Sequence, residues 1–312
     1  MRVVSVIHGG LLVVNKIDLI LLFCYVDDFC LLFEPEWHKK LIGKQSPIAG
    51  NMTLSEVLTI LIWFQTSGWR NFKNFYLYLQ QHHKKDFPQL LSYNRFVEIK
   101  PRAAIPLNCL LHFSLSQCTG ISFIDATPLK ICHNKRIFSN RVFKDLARRG
   151  KSTMGWFFGF KLHITCTTTG DLLSVQITTG NTDDRKSVKS LSKNLFGKVY
   201  GDKGYISQTL FEEMLAVGVQ IVTQLRNKMK PKIMPLEDRL MLKKRSLIES
   251  VFHILKDMLH IDHSRHRSPK NFFINILAAL TAYCLYPNKP SIRMEKHELR
   301  EFQASDNLIL AA

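Results

Sequence analysis

The stretch Gly159-Phe-Lys-Leu-His-Ile-Thr-Cys-Thr-Thr-Thr-Gly170-Asp-Leu-Leu-Ser-Val-Gln-Ile177 decides the fold. Phe160, Leu162, Ile164 and Cys166 alternate with Lys161, His163 and Thr165, and 173–177 alternates again, which is the two-residue period of half-buried strands. Thr169-Gly170-Asp171 between them has turn composition, so the two segments form an antiparallel hairpin. Upstream, Ile121-Ser-Phe-Ile-Asp125 reads as a short apolar strand that ends on its aspartate. Downstream, helical texture over 186–195 precedes the strand Lys198-Val-Tyr-Gly-Asp202, a helix over 210–217 closed by Gly218, the strand 219–222 and a final long helix. Hairpin strands followed by strands that alternate with helices predict an α/β fold, a mixed sheet with helices packed on it.

Ahead of this region the pattern is all-helical. Thr53 or Ser55 caps a run through Phe64, Gly68 breaks it, an aromatic-rich run follows to Lys85, and a third short helix begins at Ser92. Three short helices with tight connections read either as a helix-turn-helix or as a plain helical bundle. Two prolines in 100–106 mark the boundary. The domains expected are an unassigned extension over 1–14, a helical region over 15–106 that as a helix-turn-helix would meet DNA ends, an α/β domain over 107–286 and a tail over 287–312. The apolar stretch 9–33 is interrupted by Lys16, Asp18, Asp27 and Asp28 and is expected as a buried amphipathic helix, not a membrane span. Seven cysteines, odd in number and without a CxxC pair, indicate reduced thiols in a cytoplasmic protein and argue against zinc. A formal charge of +18 over 312 residues calls for a polyanionic partner.

The chemistry concentrates in Arg245-Ser-Leu-Ile-Glu249-Ser-Val-Phe-His-Ile-Leu-Lys256. At about 100° per residue, Glu249 lies ~40° and Lys256 ~20° around a helix from Arg245, so an acid and two cations share one stripe beside the apolar face of Ile248, Val251, Leu255 and Met258. Asp125 and Asp202 each close a strand. If those strands are parallel neighbours, both carboxylates meet at their C-terminal ends, where sheets of this kind place their sites. Three carboxylates with no His or Cys among them are hard oxygen ligands suited to Mg²⁺ or Mn²⁺, and two such ions suit phosphoryl transfer.

These residues carry a resemblance. The blocks Ile124-Asp125-Ala-Thr-Pro-Leu-Lys-Ile-Cys132-His-Asn-Lys-Arg136, Gly155-Trp-Phe-Phe-Gly-Phe-Lys161-Leu-His163, Thr179-Gly-Asn181-Thr-Asp-Asp184-Arg185 and Gly201-Asp202-Lys-Gly204-Tyr205, followed by the helix above, resemble bacterial insertion-sequence transposases. The family is insertion sequence 982, among the DDE transposases related to insertion sequence 4. The resemblance runs from about Asn15 to Ile292. It implies a ribonuclease H-like fold, an acidic triad at Asp125, Asp202 and Glu249, and a Tyr-x2-Arg-x3-Glu-x6-Lys signature at Leu242, Arg245, Glu249 and Lys256. Leu242 departs from the tyrosine, a residue implied to contact phosphate near the cleaved end. The implied activity is metal-dependent cleavage and strand transfer by a homodimer on DNA bearing terminal inverted repeats. The rival readings are a nuclease of the same fold that joins nothing, and a decayed copy that only binds element ends.

Other residues have two readings each. Lys130, Lys135, Arg136, Arg141, Lys144, Arg148, Arg149 and Lys151 face one acid, Asp145, in a 22-residue stretch expected to be a loop, either solvated or tracking phosphates. Arg226, with Lys228, Lys230 and Lys232, is a linker or a DNA contact. Arg265 and Arg267, among His260, His263 and His266, suit phosphates better than a metal. Trp156, Phe157 and Phe158 either stack on an unpaired base or pack in the core. Lys161 and His163 either approach the site from the second strand or line a polar sheet surface, and Asn181, Asp184 and Arg185 have no assigned role.

Overall fold

The computed structural model describes residues 17–40, 51–225, 234–262, 266–293 and 298. The helical region contains α1 (Leu19–Lys40), α2 (Leu54–Thr66), α3 (Phe72–His82), α4 (Tyr93–Ile99) and α5 (Ala104–Phe113). Their starts follow from side-chain caps. The Thr53 hydroxyl accepts from the Glu56 N–H while the Glu56 carboxylate accepts from the Thr53 N–H, a full capping box. Asn71 and Ser92 cap α3 and α4, and Gly68, at φ +78°, separates α2 from α3. In α1, Leu22, Val26, Phe29 and Cys30 are buried while Ile20, Leu21, Leu31 and Leu32 stay exposed, so the expected helix is buried on one side only. Residues 1–16, including the expected extension, lie outside the described residues.

Six strands form one sheet: β1 (Ile121–Cys132), β2 (Arg148–Ser152), β3 (Gly155–Cys166), β4 (Leu172–Thr179), β5 (Gly197–Gly201) and β6 (Val219–Thr223). β3 pairs antiparallel with β1 on one side, and its other edge is shared by β2 and β4, both antiparallel. β5 lies parallel to β1, and β6 parallel to β5. With β2 set aside, the order β4-β3-β1-β5-β6 is the ribonuclease H-like arrangement of three antiparallel strands flanked by two parallel crossovers.

Two elements differ from the sequence reading. β1 does not stop at Asp125 but continues through Pro128 to Cys132. β5 accompanies β1 only as far as Phe123, so beyond it one side of β1 is open and a proline costs no ladder bond there. The stretch after Lys130 is likewise not all loop, since a 3₁₀ turn at Asn134–Arg136 and the strand β2 lie within it. Residues 148–152 went unread because Arg-Arg-Gly-Lys-Ser has no apolar alternation; its β conformation is set by pairing with β3.

Helices cover both faces. α6 (Arg185–Leu191) and α7 (Gln208–Leu215) lie on one, in a cluster with Ile124, Val199 and Tyr205. On the other, Phe123, Leu129, Phe160, Leu162, Ile164 and Tyr200 share a continuous core with α8 (Leu236–Lys244), α9 (Leu247–His253), α10 (Pro269–Cys284) and the N-terminal helices. The expected boundary at 100–106 is a 3₁₀ turn (Lys100–Ala103) that runs straight into α5, and α5 packs on α10. A buried hydrogen bond from Gln65 to Asn275, 2.9 Å long, joins α2 to α10.

Candidate active site

Cross-strand partners share a face of a sheet, and this fixes where Asp125 points. Its partner is Ile164, so it lies with Phe123, Leu162 and Phe160 on the face that carries α8 to α10. β1 and β5 pair in the register Phe123↔Tyr200, which places Asp125 and Asp202 each two residues further along parallel neighbours. The expectation that the two aspartates meet at the C-terminal side of a parallel pair is thus met in register. Asp125 meets it from mid-strand, whereas Asp202 follows the last residue of β5. Burial pushes the Asp125 carboxyl up to about 6; the Ala126 N–H and Arg245 pull it down, and the charge of Asp202 adds to the rise.

The turn after β5 is locked by its own residues. Asp202 caps a 3₁₀ turn (Lys203–Tyr205) by accepting from the Gly204 N–H at 2.7 Å. A Cβ on residue 204 would stand 2.8 Å from that same Asp202 oxygen, and one on residue 201 would stand 3.0 Å from the Tyr205 ring and 3.1 Å from Ile124. A side chain at 204 would therefore displace the Asp202 carboxylate, and one at 201 would crowd the Tyr205 ring and Ile124.

The third segment is not one long helix. α8 ends at Lys244, Arg245 sits in the break, α9 begins at Leu247, and a π turn follows over Ile254–Met258, closed by the Leu259 N–H bonding Ile254 O. Ile248, Val251 and Leu255 are fully buried and pin the segment to the sheet, each contributing about 1.5–3 kcal/mol of burial. Arg245 reaches both acids: Nη1 donates to Asp125 Oδ2 at 3.1 Å and Nη2 to Glu249 Oε1 at 3.5 Å. Glu249 is 64% exposed, and the guanidinium links it to Asp125 of β1. Lys256 also turns to β1, but to its backbone: its ammonium, desolvated by burial, donates to Pro128 O at 3.1 Å. That carbonyl lies on the open side of β1 described above, so Lys256 supplies the partner that β5 does not. Leu242, in the place of the signature tyrosine, is buried in the core.

A metal fits these residues by donor chemistry. Asp125, Asp202 and Glu249 offer only hard carboxylate oxygens, the set that Mg²⁺ or Mn²⁺ takes. Among the described residues no three ligand-type side chains converge on one point; Arg245 stands between two of the three acids and supplies the cationic charge there.

Lys161 and His163 occupy the other face, paired across from Pro128 and Ala126. Lys161 donates to Thr182 O and to Asp184 Oδ1, both at 2.9 Å. His163 is wholly buried with Nε2 bonded to Thr178 Oγ1 at 2.8 Å, and burial lowers it to about 4. The expectation that these two approach Asp125 is therefore corrected: strand alternation puts them on the opposite face of the sheet, and Asp184 is the counter-ion of Lys161. Lys130, Lys135, Arg136, Arg141, Lys144, Arg148, Arg149, Lys151 and Arg267 are all exposed. Arg226 and Arg265, with Lys228, Lys230, Lys232 and His263, lie outside the described residues. Phe157 and Phe158 are core residues, whereas Trp156 is exposed.

Sequence reasoning missed one cluster that aims the site. Asp238, 4% exposed, accepts from Tyr200 Oη and Lys198 Nζ, each at 2.8 Å, and ties the first turn of α8 to β5. The signal was there in Lys198 and Tyr200, two apart on a strand and hence on one face, followed by Glu237-Asp238 at a helix start.

Residues 115–269 match a family model described as the transposase DDE domain. No curated protein sequence matches the chain. Among solved structures, one similar to it is the piggyBac transposase in a synaptic complex with hairpin DNA, at 11% identity and a TM-score of 0.43, over 93% of this chain and 80% of that one. The family match supports a DDE transposase domain in the sheet-bearing region and transposase activity in general. Among the described residues no helix is long and apolar enough to cross a membrane.

Proposed function

We propose that the chain is a DNA transposase of the insertion sequence 982 kind, which cuts the ends of its element and joins them to target DNA. The observation that carries this is the in-register placement of Asp125 and Asp202 on the parallel β1–β5 pair, with Arg245 linking Asp125 to Glu249. Asp125, Asp202 and Glu249 would hold Mg²⁺ or Mn²⁺, two ions in all. When bound, the ions activate the attacking hydroxyl and steady the leaving oxygen. Arg245, which bonds Asp125 and Glu249, would be free to hold a DNA phosphate if a metal neutralised those acids. Lys256 fixes the open side of β1 beyond Asp125. The helical region, with Ser92 opening its last short helix, recognises the terminal inverted repeats. Two element ends call for two copies of the chain.

The test is strand cleavage and joining on DNA bearing the element's own ends, in the parent and in Asp125→Ala, Asp202→Ala and Glu249→Ala. Each variant is expected to lose more than about a hundredfold, as removal of a transition-state charge partner does elsewhere. Full activity in all three removes the assignment; hydrolysis without joining replaces the transposase with a nuclease.

A further inference from the structure

The proposed function gives no role to the exposed cations of 130–151 or to the hairpin that carries three of them, Arg148, Arg149 and Lys151. β2 and β3 form a hairpin whose two-residue tip, Thr153-Met154, joins Ser152 to its partner Gly155. On one face of the hairpin Lys151 is paired directly across from Trp156, and Arg149 lies on the same face through its partner Phe158. The Arg149 guanidinium sits 4.8 Å and the Lys151 ammonium 5.9 Å from the centre of the Trp156 ring. Yet Trp156 remains 52% exposed, while its neighbours Phe157 and Phe158 are buried.

A large indole left half in water adds nothing to the core, and apolar residues near it repeat the pattern. Phe138 is fully exposed in the same cation-rich segment, and Met154 at the hairpin tip is 86% exposed. The tryptophan is also held in place, because Asn134 Nδ2 donates to Trp156 O at 2.8 Å and ties the hairpin to the preceding 3₁₀ turn. A rigid, exposed aromatic face flanked by cations is the arrangement that receives a flat, electron-rich ring beside a phosphate. Charge selects the occupant further, since Asp145 is the one acid against eight exposed cations over 130–151.

Position separates this surface from the carboxylates. Trp156 lies on the same sheet face as Asp125, because Phe158, Phe160, Leu162 and Ile164 continue that face along β3 to the partner of Asp125. Ile164 and Trp156 are eight residues apart on one strand, roughly 26 Å at 3.3 Å per residue. A ring stacked on Trp156 therefore belongs to a part of the strand well away from the bond being cut.

The geometry points to a second nucleic-acid site on this chain: Trp156, with Arg149 and Lys151 on its face, stacks an unpaired base of single-stranded DNA about 26 Å from Asp125 along the same sheet face. This rests on the DNA reading given above and adds to it that duplex and single strand are held by different residues. Duplex phosphates meet the exposed cations generally; the single strand meets Trp156.

The experiment compares binding of the full chain to a labelled oligodeoxythymidine and to a blunt hairpin duplex of equal charge, by fluorescence anisotropy at one fixed salt concentration. Trp156→Ala is expected to weaken oligodeoxythymidine binding about tenfold, the scale of one lost base stack, and to leave the duplex within about twofold. Trp156→Phe, which keeps a π face, retains most of the single-strand affinity and shows that the fold is intact. Equal losses on both DNAs, or no change on either, overturn the inference. So does a variant that alters only self-association in sedimentation, because the patch then serves a second copy of the chain. A parent that binds neither DNA removes the functional reading as well; a parent that binds both, with Trp156→Ala indistinguishable from it, removes this inference alone.

Discussion

Asp202 is held by a single backbone donor, and that donor belongs to a residue with no side chain. Gly204→Ala is expected to push the carboxylate off its cap, since the new methyl would stand 2.8 Å from the accepting oxygen. The fold should lose only about 1 kcal/mol, the worth of a cap, while cleavage falls by more than tenfold; a thermal melt and a cleavage assay on one preparation separate the two effects. His163 gives a pH signature. Burial lowers it to about 4 from 6.5 in the unfolded chain, so between those values the unfolded state binds the extra proton and the native state loses stability as pH falls. His163→Gln, which keeps a group able to bond Thr178, is expected to shrink the drop in melting temperature between pH 7 and about pH 4.5; an unchanged drop would show that the ring does not titrate in this window. At this scale the acids were legible because strand registers align them. The fate of Lys161 and His163 was not, because alternation says that two residues share a face without saying which face carries the site.

Among elements, the segment 236–258 departs furthest from an ideal helix. An ideal helix projected Arg245, Glu249 and Lys256 onto one stripe, and two of the three do meet. The break at Arg245 and the π turn were illegible, since neither leaves a proline or glycine in the sequence. The structure gives Lys256 a bond to Pro128 O, so Lys256→Met is expected to lower stability by about 1.5–3 kcal/mol, the worth of a charged hydrogen bond. A melt that does not move, together with weaker DNA binding, would return Lys256 to phosphate duty. Asp238→Ala should cost about 2–3 kcal/mol, because it orphans the Tyr200 hydroxyl and strips Lys198 of its closest acid. Since α8 leads to Arg245, the loss of activity at a temperature where the variant remains folded reports how far the tether aims the site. Strand β2 was hidden for a different reason: its conformation is imposed by β3, not by its own residues.

For the whole molecule the charge is the readable quantity. Exposed cations along 130–151 predict DNA binding whose logarithm falls linearly with that of salt, by about 0.9 for each phosphate neutralised. Lys135→Ala with Arg136→Ala should reduce that slope by about 2, measured by titration at several salt concentrations; an unchanged slope would place both side chains in solvent. The two prolines of 100–106 mark an expected boundary, and the chain crosses it as a 3₁₀ turn that runs into α5. One apolar core runs from the sheet through α10 into α2 and α5. If the helical region reads DNA ends and the sheet region cuts them, as proposed, a shared core leaves no hinge between the two, and the spacing from a recognised end to the cut bond is set by the fold itself, like the jaws of a fixed caliper. Insertions or deletions between a terminal repeat and the cleavage point should then be tolerated by the DNA, through bending, or not at all.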